Sequence, residues 1–104
     1  MKVLLTWHAA DHELAKYKAA LPENTVIVFP PRPAGYSRFD TTLKAISPFL
    51  NDVDVIVGWV LPEGTLDAAK NLKLLCWMHA GCDELDFGRL KSMGVQVTNI
   101  RGAN

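Results

Sequence analysis

Val53-Asp54-Val55-Ile56-Val57-Gly58-Trp59, followed by Pro62-Glu63-Gly64-Thr65-Leu66 and then by Lys73-Leu74-Leu75-Cys76-Trp77-Met78, is the stretch that decides the fold. Its two apolar runs are continuous rather than alternating, as strands buried on both faces must be. Between them Leu66, Ala69 and Leu72 keep a helical spacing after Pro62, so the stretch reads as strand, short helix, strand. Such a crossover favours a parallel sheet.

The same rhythm extends in both directions. Apolar runs at residues 3–7, 25–29 and 95–98 bring the expected strands to five. Asp11 is a suitable N-cap for a first helix with Leu14, Tyr17, Lys18 and Leu21 along one side, stopped by Pro22. Leu43, Ile46 and Leu50 mark a second helix, which Pro48 is expected to break or kink near Ser47. A fourth starts at Asp86 as N-cap, buries Phe87, Leu90 and Met93, and ends at Gly94 as the C′ residue. The tract 29–36, with three prolines and a glycine, reads as a surface loop because the βα order resumes after it. The expected architecture is α/β: a flavodoxin-like open parallel five-stranded sheet with helices on both faces, three layers in all.

A chain of 104 residues is expected to be a single domain over 1–104. Hydrophobic residues make up 49% and charged ones 21%, which is ordinary globular usage. Lys plus Arg equals Asp plus Glu at 11 each, with no block of either sign, so the field expected of a nucleic-acid binder is missing. No apolar run approaches the ~20 residues of a membrane span, and the opening Met1-Lys2-Val3-Leu4-Leu5-Thr6-Trp7-His8 does not read as a signal peptide. A cytoplasmic place is expected, with no membrane and no nucleic acid as partner. Cys76 and Cys82 form no disulfide framework or C-x-x-C motif, and His8, His12 and His79 have no ligand spacing. Reduced thiols and no metal are expected.

In an open α/β sheet a ligand sits beyond the carboxyl ends of the strands. Those ends lead here into Trp7-His8, Phe29-Pro30, Gly58-Trp59-Val60-Leu61-Pro62, Met78-His79-Ala80-Gly81-Cys82-Asp83 and Asn99-Ile100-Arg101-Gly102-Ala103-Asn104. A phosphoacceptor receiver domain would place carboxylates after the first and third strands, where Trp7-His8 and Gly58-Trp59 stand. A flavin-phosphate loop needs hydroxyls and backbone donors where His8-Ala9-Ala10-Asp11 stands. Neither G-x-G-x-x-G nor G-x-x-x-x-G-K-[ST] occurs, so the chain carries no nucleotide cradle of its own.

The tail 71–86, Asn71-Leu72-Lys73 to Ala80-Gly81-Cys82-Asp83-Glu84-Leu85-Asp86, together with Gly94-Val95-Gln96-Val97-Thr98-Asn99 and Gly102-Ala103-Asn104, resembles an ordered signature of the D-isomer-specific 2-hydroxyacid dehydrogenases. That signature is N-L-K, an apolar strand, A-G-x-D-x-[ILV]-D, a short helix, G-[IV]-x-V and a closing G-x-N. Val53 to Gly58 looks like the family's third strand, and the front half matches in its βα order.

The resemblance implies the N-terminal part of a substrate-binding (catalytic) domain. The NAD(P)-binding Rossmann domain and the catalytic Arg, Glu and His of such enzymes are absent from this chain. It further implies NAD or NADP for the full-length enzyme, a small 2-oxo or 2-hydroxy acid as substrate, and no catalytic or cofactor-binding residue within 1–104. Carried over as substrate-binding are Ala80 and Gly81, through backbone N–H groups facing a carboxylate, and Asn104. His79, Trp59 and Cys82 are secondary candidates. Cys82 departs from the branched or aromatic residue common at its place, while Asp83 and Asp86 read as turn and cap residues. Trp7, His8, Trp59 and Arg101 either line the cleft or pack at strand ends. Family members cover part of this domain with a helix from the far end of the polypeptide, so self-association of the chain, as a homodimer, is expected. The reading from a different class is a free-standing flavodoxin-like module that binds a partner without catalysis.

Overall fold

The computed structural model of the chain describes residues 1–31, 37–38, 41–78 and 85–99. Five strands, β1 (Lys2–Leu5), β2 (Val26–Val28), β3 (Val55–Gly58), β4 (Leu74–Trp77) and β5 (Gln96–Asn99), alternate with four helices, α1 (Asp11–Ala20), α2 (Leu43–Leu50), α3 (Thr65–Ala68) and α4 (Phe87–Ser92). The sheet order is β2-β1-β3-β4-β5, and every pairing is parallel, with Leu4 opposite both Val28 and Ile56, and Val57 opposite Cys76. This is the expected flavodoxin-like α/β sheet; β1 to β4 are shorter than the apolar runs that announced them, and β5 is displaced by one residue from its run.

Alternation along each strand divides the core in two. Leu4, Ile56, Leu75 and Trp77 point to one face and pack with Ile46 and Leu50 of α2, Leu66 of α3 and Leu90 of α4. Val3, Leu5, Trp7 and Val57 point to the other and pack with Leu14 and Tyr17 of α1. β1 connects outward to β2, and the chain then crosses to β3 and continues the opposite way to β4 and β5. The strand order therefore reverses between β1 and β3, the topological switch point at which open α/β sheets take their ligands.

Four local expectations are corrected. The N-cap of α1 is Ala10, not Asp11: Glu13 reaches back to accept from the Ala10 N–H at 2.9 Å, so the helix begins one residue earlier, with the Glu13 carboxylate in place of a polar N-cap side chain. Lys18 of the same helix is exposed rather than on its packed side. Pro48 lies inside α2 and does not end it. The carbonyl that Pro48 leaves without an intrahelical donor belongs to Lys44; both residues are on the exposed side of α2, while Ile46 and Leu50 stay fully buried. Phe87 is 49% exposed; as the first residue of α4 it stands outside the face that buries Leu90. The expected Asp86 cap does accept from the Arg89 N–H at 3.0 Å, and Gly94 follows the helix at φ 75°, the left-handed conformation that favours glycine.

Candidate site at the carboxyl edge

Past the carboxyl end of β1 the chain runs Thr6-Trp7-His8, and past β3 it runs Trp59-Val60. Trp7 is 2% exposed and meets the half-buried Trp59 edge-on, with ring centroids 4.9 Å apart at 65°. Tyr17 of α1 flanks Trp7 at 6.2 Å. The approach of β1 to β3 beneath this pair depends on Gly58, since a Cβ there would fall 1.8 Å from Thr6 Oγ1. No residue other than glycine fits without displacing Thr6.

A buried indole needs a partner for its N–H. Trp7 Nε1 donates to Glu13 Oε1 at 3.1 Å. The same oxygen accepts from Ala10 N at 2.9 Å and from Arg38 Nη1 at 2.6 Å. Arg38, together with the charge it brings, holds the Glu13 carboxyl at about 2 against an ordinary 4.5; the bonds from Ala10 and Trp7 add to this, and burial opposes it. Glu13 is therefore a carboxylate throughout the physiological range. The Tyr17 hydroxyl is pushed above its ordinary value, by burial first and then by the Glu13 charge.

Arg38 does more than neutralise. Its Nη1 also donates to the His8 carbonyl at 3.0 Å, and the His8 N–H donates to the Arg38 carbonyl at 2.8 Å. His8 Nδ1 lies 3.0 Å from the Pro30 carbonyl oxygen. A carbonyl can only accept, so Nδ1 carries the proton. Pro30 and Arg38, at the two ends of the proline-rich tract, are thus both fastened to the turn after β1. His8 also stacks edge-on against Phe29 at 5.4 Å. Of the two roles left open for Trp7 and His8, both pack at strand ends.

β4 ends at Trp77-Met78, where the Met78 N–H donates to the Gly58 carbonyl at 2.9 Å. Asn99, at the end of β5, pairs with Trp77. The segments 79–84 and 100–104 therefore begin at the same edge as Trp59. His79, Ala80, Gly81 and Cys82, like Arg101 and Asn104, lie outside the described residues; of the substrate-binding candidates, Trp59 alone is placed. Glu13 and Arg38 were not singled out in the sequence. Glu13 stands three residues after its cap, where a capping-box acid is expected, so a signal for it was present. Arg38 comes from 25 residues away with no periodicity to announce it.

Cys76 is a free thiol in β4, pushed up by burial with an opposing hydrogen bond to Thr98, and so is a packing residue rather than a nucleophile. A dinucleotide phosphate does not fit the first βα turn. The Glu13 carboxylate, bonded to the N-cap N–H of Ala10, sets a negative charge at the N-terminus of α1, where such an anion would have to approach. α3 and α4 are only 4 and 6 residues long.

The fold and its ligand edge define an open parallel α/β domain of the kind that binds a small molecule at a strand-order reversal. Residues 11–104 match the family described as D-isomer specific 2-hydroxyacid dehydrogenase, catalytic domain, and the chain belongs to that family. Among solved structures it is similar to the D-lactate dehydrogenase of Aquifex aeolicus complexed with NAD and lactic acid (23% identity, TM-score 0.70, 98% of this chain and 28% of that one). It is similar also to the NAD-dependent formate dehydrogenase of Staphylococcus aureus in complex with NAD (19%, 0.69, 100% and 34%). A third is the NAD+-bound 3-phosphoglycerate dehydrogenase of Entamoeba histolytica (15%, 0.67, 95% and 32%). The chain spans about a third or less of each of these. No curated protein matches it.

Proposed function

We propose that residues 1–104 are the N-terminal, substrate-binding part of an NAD(P)-dependent D-2-hydroxyacid dehydrogenase, a single domain that is inactive alone and interconverts 2-oxo and D-2-hydroxy acids only with its coenzyme domain. The family match over 11–104 carries this reading. It is supported by the Glu13 carboxylate at the N-terminus of α1, whose charge disfavours a dinucleotide phosphate there.

The chain's part in the reaction is to bind and orient. The Ala80 and Gly81 N–H groups receive the substrate carboxylate, Gly81 allowing close approach where a side chain would obstruct. Asn104 stands near the substrate, while His79 and Cys82 contribute packing rather than proton transfer. Acid, base and arginine come from the other domain, so the pH dependence of turnover belongs there.

No helix among the described residues is long and apolar enough to cross a membrane, in keeping with a cytoplasmic enzyme. The half-covered face of the sheet is the surface through which the chain self-associates, or over which a distant helix of the same polypeptide packs.

The purified chain should show no saturable binding of NADH or NADPH at micromolar concentrations. In the chain extended through its coenzyme domain, Gly81→Val should lower kcat/KM at least about tenfold with coenzyme affinity kept, because hydrogen bonds to a charged group are worth roughly 1.5–3 kcal/mol. His79→Ala should cost much less. The reverse ranking, with His79→Ala abolishing turnover and Gly81→Val silent, would overturn the assignment.

A further inference from the structure

We draw no further inference here: the strongest candidate, the groove between α4 and the outer edge of β5 lined by Phe87, Leu90, Val95 and Val97, carries nothing because nothing in the structure shows what covers it.

Discussion

The two faces of the sheet are finished to different degrees. On one, Leu4, Ile56, Leu75 and Trp77 are sealed beneath residues of α2, α3 and α4. On the other, α1 covers Val3, Leu5 and Val57, yet none of its own residues is buried. Further along that face Val55, Leu74, Cys76 and Met78 remain half-buried, and Gln96 and Thr98 of β5 are exposed. Neighbouring residues of one strand therefore live in different surroundings, Leu75 in a closed core and Cys76 under a partial roof. The difference teaches that this domain carries one complete core and one that asks for another layer.

The sharpest way to break the comparison is a pair of substitutions one residue apart. Leu75→Ala removes a side chain with 0% exposure and should cost about 2–5 kcal/mol in urea unfolding. Cys76→Ala, on the open face, should cost less than about 1 kcal/mol. Equal losses would mean the faces are equally closed. Gly58→Ala comes next: its Cβ would meet Thr6, itself buried, and the overpacking should cost about 1–3 kcal/mol. Thr6→Ala in the same chain should recover part of that loss.

The open face gives a third prediction. Sedimentation at several concentrations should show the chain associating, and the pair Leu74→Lys with Met78→Lys should return it to a monomer with its far-ultraviolet dichroism unchanged. A wild-type chain that stays strictly monomeric and binds no hydrophobic dye would count against a missing layer.

The smallest effect concerns acid. Glu13 titrates at about 2 in the folded chain against an ordinary 4.5, so as pH falls the unfolded chain takes up this proton first. The stabilisation from Glu13 is complete above about 4.5 and disappears by about 2. Thermal unfolding between those limits should show a shallower loss in Glu13→Gln than in the wild type. Asp54 acts in the same direction, held below its ordinary value chiefly by the Lys2 backbone N–H and further by Lys73, so a part of the acid sensitivity should remain.

The sheet was legible because continuous apolar runs report burial on both faces, a property of each strand by itself. Helix faces were read less well where a residue's position on its turn mattered more than its type, as with Phe87 at the start of α4. Pro48 misled because the rule that proline breaks helices weighs most where the freed carbonyl is cut off from solvent, and Pro48 and Lys44 both stand on the exposed side of α2. At the ligand edge, Trp59 was found through topology. The Glu13–Arg38 pair was not, since a contact between the first helix and a loop 25 residues later leaves no trace in spacing or composition. The remaining candidates, Ala80, Gly81 and Asn104, rest on the family's motif, to which the described residues add only the edge from which their segments depart.

The parallel order also has a consequence for how the chain is made. β1 is the first strand to be synthesised and sits between β2 and β3, so its outer neighbour arrives with residues 26–28 and its inner one only with residues 55–58. Parallel neighbours require a crossover, and no hairpin can close early. Ribosomes add about 5–20 residues per second, so Val3, Leu4 and Leu5 wait seconds for the strand that completes their burial. Through that interval one edge of β1 stays unpaired, exposed to any other strand within reach, and a pause in translation between residues 28 and 55 would lengthen the wait and raise the fraction lost to aggregation.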